Sequence, residues 1–250
     1  HLTRFDIVGA NAVFMRAMLN EAMHHTLHRD AFGRRLAHQP LMQNVLADLA
    51  IETEAAMLVA FRLARAFDRR ASDPMEAGIA RLLTPIAKYW SCKRVPAVAV
   101  EAMECLGGAG YVEESPMARF YREAPLNSIW EGSGNVICLD VLRTMQREPE
   151  ALAALMTMLD AAARADSRLD SHLRVIRDML ADQGALESRA RVMVERLACA
   201  VQYALLNEHA ATPVATAYAK TRLGTQGGYA FGTLPADTPC ELIVERVRLQ

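Results

Sequence analysis

Asn127-Ser-Ile-Trp-Glu-Gly-Ser-Gly-Asn135 lies between a Pro-punctuated loop (Pro116 to Pro125) and an apolar-periodic stretch carrying Val136, Leu139, Leu142 and Met145. The spacing predicts a helix that opens just after Glu131. A carboxylate beside Trp130 in a Gly-flanked turn is a plausible place to aim a base. A Glu near a helix start more commonly complements the helix dipole. Taken alone, the stretch reads as structural before it reads as reactive, because perturbed carboxylates are the minority.

Outward from this turn, helical seams account for most of the chain. Phe5, Val8, Ala12, Met15, Leu19, Ala22 and Thr26 recur at three- and four-residue steps, as the buried stripe of a bundle helix does. That helix is expected to stop near Ala31-Phe-Gly33. A second seam runs Met42, Leu46, Leu49, Thr53, Ala56, Ala60, Leu63, Phe67, with Pro40 suited to its first turn. The third helix opens at Asp73-Pro74 with Glu76 in capping-box register and runs to Gly107-Gly108. Pro85 and Pro96 are expected to kink or split it. With the helix after Glu131, these make an up-and-down four-helix bundle over residues 1–147. A second helical subdomain follows over 148–250: Pro149 opens one helix and Ser167 caps another that Gly184 ends. A third carries Leu186 to Leu205, and further starts fall at Thr212-Pro213 and Thr238-Pro239. Period-two alternation is never sustained, so the fold class is all-α.

Composition narrows the function. The chain has 250 residues, a formal net charge of −1, 52% hydrophobic and 6% aromatic residues. Residues 151–250 carry 11 Lys/Arg against 11 Asp/Glu, so no basic tail seeks nucleic acid or an anionic membrane. Five scattered cysteines without CxxC spacing read as reduced core residues of a cytoplasmic protein. No apolar run reaches spanning length. Glu21, His24, His25 and His28 stand at ligand spacing, but a polar face near a helix end explains them better than a metal, and no metal is expected. Leu106-Gly-Gly-Ala-Gly110 follows a helix instead of a strand, so a helix cap explains it better than a Rossmann loop.

Three segments, in order, resemble the C-terminal half of the acyl-CoA dehydrogenase flavoprotein family. Arg29-Asp-Ala-Phe-Gly33 with Gln39 is similar to the family's Arg-x-x-Phe-Gly…Gln. Glu104-Cys-Leu-Gly-Gly-Ala-Gly-Tyr111 is similar to Gln-x-x-Gly-Gly-x-Gly-Tyr. Ser128-Ile-Trp-Glu-Gly-Ser-Gly-Asn135 is similar to the Ile-Tyr-Glu-Gly-Thr turn. The Trp, the Gly-Ser-Gly-Asn run and His38-Gln-Pro-Leu-Met42 resemble the family's alkylation-response branch, which is associated with an added helical domain, bound FAD and double-stranded DNA.

The resemblance implies that Glu131 removes the α-proton of an acyl-CoA thioester while FAD takes the β-hydrogen as hydride. It implies cofactor contacts from Arg29, Phe32 and Gln39, across a subunit interface of a homo-oligomer (dimer or tetramer). Glu104, Gly108, Ser133 and Asn135 would line the cofactor's other side. Trp130 and Gly132 would sit beside the substrate. Glu104 departs from the family's neutral Gln, and Ser133 and Asn135 are shorter than their counterparts. Arg143 and Arg147 are the candidate contacts to DNA. Two other functions stand beside the enzyme: a DNA-associated protective flavoprotein with residual dehydrogenase activity, and a purely structural oligomerisation bundle.

Overall fold

The computed structural model describes residues 2–164, 166–182 and 184–248. Helix α1 (Leu2–His28), α2 (Pro40–Arg69) and α3 (Pro74–Cys105) run up, down and up, so α1 and α3 are parallel. Two short helices, α4 (Gly108–Tyr111) and α5 (Met117–Glu123), carry the chain back to α6 (Gly134–Arg147). Then come α7 (Pro149–Ala163), α8 (Ser167–Ala181), α9 (Ala190–His209), α10 (Thr212–Tyr218) and α11 (Cys240–Val247), with a π-helical turn at Ala219–Leu223. None of these helices is long and apolar enough to cross a membrane.

The seams of α1 and α2 read from the sequence lie on their buried faces, and α3 buries a face of its own. Met15, Met18 and Leu19 of α1, Leu46, Leu49 and Ile51 of α2, and Ile79, Leu82, Leu83 and Ile86 of α3 are closed to solvent. The same hydrophobic cluster continues through Leu155 and Leu159 of α7, Leu169, Leu173 and Ile176 of α8, and Leu197 and Val201 of α9. The later helices therefore bury their stripes against the bundle.

Four expectations are corrected. First, Pro85 and Pro96 do not split α3, which is a single helix from Pro74 to Cys105. Each proline removes a backbone bond, at about 3 kcal/mol. Burial of Ile79, Leu82, Leu83, Ile86, Val95 and Val98, at about 1.5–3 kcal/mol per side chain, outweighs both breaks. Second, the cap of α8 is Asp166, whose carboxylate accepts from the amides of Arg168 (2.9 Å) and Leu169 (3.3 Å); Ser167 is already helical. Third, only half of the capping box forms at α3. Asp73 accepts from the amides of Met75 and Glu76, but the Glu76 carboxylate turns to Arg62 at 2.7 Å. Fourth, α1 ends at His28, and a two-residue antiparallel ladder follows, Asp30–Ala31 against Arg34–Arg35. Phe32 (φ 53°) and Gly33 (φ 82°) form its tip, the positive-φ pair that matches strand twist in a tight hairpin.

The segment after α10 is strapped across α2. Arg222 pairs with Asp48 and Glu52, and Arg94 of α3 also reaches Glu52, at 3.0 Å. Gly232 donates its amide to Asp48 (3.0 Å), and the Asn44 side chain exchanges two 3.0 Å bonds with the Leu234 backbone.

Candidate active site

Glu131 sits at φ +56°, a left-handed conformation that a non-glycine residue rarely holds and that costs on the order of 1–3 kcal/mol. The strain is held by cations of the bundle. Lys88 Nζ donates to the carbonyl of Trp130 (2.9 Å) and to that of Gly132 (2.7 Å). Between them, the Glu131 carbonyl accepts from Arg4 Nε at 3.1 Å, and Arg4 is anchored in turn on Asp140 of α6. Charge-assisted bonds of this kind contribute roughly 1.5–3 kcal/mol each, enough to offset the strain. Gly132 continues the turn at φ +108°, and a Cβ there would stand 3.0 Å from Ile137 Cδ1.

One step earlier, a buried polar network fixes the entry to the turn. Asn127 donates to Asn11 Oδ1 (2.7 Å), and Asn11 donates to Ser91 Oγ (3.0 Å) and Cys92 Sγ (3.3 Å). Cys92 Sγ returns to the Asn127 carbonyl at 2.9 Å, and Trp130 Nε1 donates to Asn127 Oδ1 at 3.1 Å. The turn is thus anchored to α1 and α3, which lie far from it in sequence.

Lys88 is 1% exposed. Burial pulls its pKa below the ordinary lysine value; nearby Arg4 and Lys93 act in the same direction, while Cys92 and Glu131 oppose it. Sequence reasoning missed Lys88, Arg4 and Asn11. The one available signal was a lysine inside the apolar run Leu82-Leu-Thr-Pro-Ile-Ala-Lys88.

The Glu131 carboxylate itself is exposed, and none of the described residues gives it a hydrogen bond or ion pair. Trp130 is 49% exposed, with Ile129 and Val136 also open beside it. Within this chain the turn therefore presents an unspent acid on a partly apolar surface.

Ser133 begins α6 without using its side chain as a cap, and Asn135, the second residue of that helix, is exposed. A Cβ at Gly134 would meet Arg191 Nη2 at 3.0 Å and Lys93 Cε at 3.3 Å. Lys93 Nζ also donates to Ser128 Oγ at 3.1 Å. A helix N-terminus flanked by two cations suits an anionic group. Arg191 comes from α9, and nothing local in the sequence announces it.

The other residues expected to hold the cofactor lie elsewhere. Arg29 is exposed without a side-chain partner among the described residues, and Phe32 is 95% exposed. The Gln39 amide is spent within the hairpin: it accepts from Arg34 Nε (2.9 Å) and donates to the Ala31 carbonyl (3.1 Å). Glu104 and Gly108 are exposed at the end of α3, where Gly107 takes φ +60°. Glu104 borders a groove of about 770 Å³ shared with Tyr111, Glu113, Glu114, Tyr121 and Arg122. Arg122 there is spent on Glu113, at 2.7 and 3.0 Å. Sixteen residues of helix separate Lys88 from Glu104, about 24 Å at 1.5 Å per residue. The structure therefore brings Ser133 and Asn135 to Glu131, but not Arg29, Phe32, Gln39, Glu104 or Gly108.

Arg143 and Arg147 are exposed one turn apart on α6, beside a groove of about 430 Å³ that also includes Leu186 and Glu187. In the histidine cluster, the rings of His24 and His28 lie 4.5 Å apart, and His28 Nδ1 is 2.7 Å from the His24 carbonyl oxygen. No group of three or more metal-binding side chains is assembled among the described residues.

Comparison with known proteins identifies the family of the chain. The family model described as "Acyl-CoA dehydrogenase, C-terminal domain" matches residues 1–146. The acyl-CoA dehydrogenase-like protein AidB of Escherichia coli strain K12 is 40% identical over 227 residues, covering 91% of this chain and 41% of that protein. Among solved structures, ACDH-11 of Caenorhabditis elegans in complex with C11-CoA superposes with a TM-score of 0.81 at 28% identity. That match covers 89% of this chain and 43% of that one. An acyl-CoA dehydrogenase of Bacillus anthracis complexed with FAD shares the fold, with a TM-score of 0.63 at 19% identity over 98% of this chain and 45% of that one. The chain thus spans less than half the length of these relatives.

Proposed function

The chain belongs to the acyl-CoA dehydrogenase family, and on that footing we propose that it is the C-terminal part of an FAD-dependent enzyme that desaturates an acyl-CoA thioester, with Glu131 as the base. The observation that carries the proposal is the turn itself: a free carboxylate on a residue held at φ +56° by Lys88 and Arg4. Strain this firmly braced is a mark of functional sites. A structural acid would be satisfied by the helix start or by a cation, and Glu131 has neither partner among the described residues.

In this reading the Glu131 carboxylate takes the proton from the α-carbon, next to the thioester carbonyl. Bound flavin would supply the acceptor for the β-hydrogen and its electron pair. The chain's own contribution is to orient the base. The open apolar surface of Ile129, Trp130 and Val136 is where the substrate and the rest of the protein exclude water from that acid. ACDH-11, 28% identical, was solved with C11-CoA, which supports an acyl-CoA as the ligand class.

The residues fit the cofactor unevenly. Ser133 and Asn135 at the start of α6, with Lys93 and Arg191 around the Cβ position that Gly134 leaves empty, suit the diphosphate. Glu104, beside Glu113 and Glu114, does not suit a phosphate and would face a hydrogen-bond donor of the cofactor. Because Glu104, Gly108, Arg29 and Phe32 stand well away from Glu131, they would serve the cofactor of a neighbouring copy. That makes the working protein a homo-oligomer, with residues 1–147 as the family bundle and 148–250 as an addition packed on it.

The test is Glu131→Gln in the full-length flavoprotein. It should abolish flavin bleaching by acyl-CoA while FAD stays bound. Unchanged bleaching would refute the assigned base.

A second reading, attachment to duplex DNA, is favoured by one observation: Arg143 and Arg147 share a face of α6 without ion-pair partners among the described residues. Against it, Arg168, Arg174, Arg177, Arg189, Arg222 and Arg246 are already paired with carboxylates. Phosphate contacts predict affinity that falls steeply with salt. Binding that is indifferent to salt and to Arg143→Ala would remove this reading.

A further inference from the structure

We infer that Lys88 is a positioning residue for Glu131: its buried ammonium holds the backbone carbonyls of the residues on either side of the base. The inference rests on the assignment of Glu131 as the base and adds the device that aims it.

Lys88 is among the largest fully buried side chains of the protein, and it makes no ion pair with a carboxylate among the described residues. Removing an ammonium from water without a counter-charge is unfavourable, and an apolar side chain of the same length would fill the same space in α3 more favourably. The contacts that compensate are two backbone carbonyls, those of Trp130 and Gly132. They belong to the residues immediately before and after Glu131. Held from both sides, and with its own carbonyl tied to Arg4, Glu131 keeps a fixed Cα–Cβ direction. Only side-chain torsions remain free.

A role confined to folding explains this less well. The entry to the turn is already anchored by Asn11, Cys92 and Asn127, and α3 needs no cation at this point for its packing. What Lys88 adds is the path of the backbone at positions 130 to 132. Proton abstraction from carbon is sensitive to that placement, and a displacement of about 1 Å can lower a rate about 100-fold.

The experiment uses the full-length flavoprotein with Lys88→Met, which keeps length and removes the donor, alongside Glu131→Gln. Two quantities are read: flavin reduction by saturating acyl-CoA in single turnover, and hydrogen–deuterium exchange of the peptide covering residues 127–135. Lys88→Met should slow flavin reduction about 10- to 100-fold, leave FAD content and acyl-CoA half-saturation within about twofold, and speed exchange in that peptide but not in the middle of α1.

Wild-type reduction in Lys88→Met, with none in Glu131→Gln, overturns the positioning role and leaves the base assignment standing. Unchanged exchange in the 127–135 peptide also overturns the positioning role. Normal reduction in Glu131→Gln instead removes the base assignment. If Lys88→Met yields no folded flavoprotein, Lys88→Gln decides, since its amide stays polar in the buried site but, one bond shorter and uncharged, cannot hold both carbonyls. A reduced rate at unchanged half-saturation upholds the inference, whereas a wild-type rate, or a parallel loss of FAD and acyl-CoA binding, overturns it.

Discussion

Replacing Arg222 with Met should unclasp the C-terminal strap, and the effect should grow with pH. Arg222 is 14% exposed and lies between the carboxylates of Asp48 and Glu52, 2% and 1% exposed. With Arg222 gone, Arg94 alone faces two buried acids. Removing one partner of a buried ionic network destabilises by about 3–5 kcal/mol. For a chain of this length that corresponds to a fall in Tm of about 6–20 °C.

The sign of the pH dependence follows from the two acids. Burial raises the Asp48 pKa despite Arg222, so the folded state binds a proton more tightly there than the unfolded chain does. Its contribution to stability therefore falls as pH rises from 3.8 through the folded value. For Glu52 burial acts upward as well, but Arg94 and Arg222 more than offset it and hold the pKa below 4.5. Its contribution is present above 4.5 and is lost as pH falls through the folded value. Without Arg222 both pKa values move up, and at neutral pH the folded state must hold charge it can no longer compensate. The variant should therefore be more destabilised at pH 8 than at pH 5, each unit of pKa change being worth about 1.4 kcal/mol. Thermal unfolding of the 250-residue chain, followed by circular dichroism at both pH values, reads this directly. A Tm within about 2 °C of wild type at both would refute the account of the strap.

Three further outcomes are expected. Gly132→Ala places a Cβ 3.0 Å from Ile137 Cδ1 at φ +108°; it should lower stability by about 1–3 kcal/mol in a denaturant titration and slow flavin reduction in the full-length protein. Asp166 is held at a pKa of about 2; burial opposes this, but bonds from Arg168, Tyr203 and the Leu169 and Arg168 amides more than offset it. Asp166→Ala should therefore cost about 2 kcal/mol at pH 7, a difference from wild type that narrows as pH falls from 3.8 towards 2 in paired unfolding curves. Asn11→Ala removes the side chain that joins Asn127 to Ser91 and Cys92. It should destabilise by about 1–3 kcal/mol and loosen the 127–135 segment in hydrogen exchange.

How much of this was legible in the sequence depends on the range of the interaction. Helix faces are a local property, so the seams of α1 and α2 read from Met15, Leu46 and their neighbours are the buried faces observed. The turn at Glu131 was legible because its glycines and the following apolar period are local too. The clamp was not, because Lys88 lies 43 residues from Glu131 and Arg4 lies 127 away. Arg191 reaches Gly134 only because α9 packs on α6. The expected split at the prolines fails for the related reason that propensity is local and burial is not: α3 is covered by α1, α2, α6, α7 and α9, and that packing keeps it one helix past Pro85 and Pro96. Asp166 and Ser167 are both good caps, and only the amide geometry chooses between them.

The central claim is that Glu131 takes a proton from the α-carbon of an acyl-CoA, and that step can be observed apart from any redox chemistry. The full-length protein is incubated with an acyl-CoA in deuterium oxide, and incorporation of deuterium at the α-carbon is followed by mass spectrometry. Wild type should exchange the α-hydrogen and Glu131→Gln should not, with the acyl-CoA bound equally by both. Equal exchange by the two proteins would contradict the account.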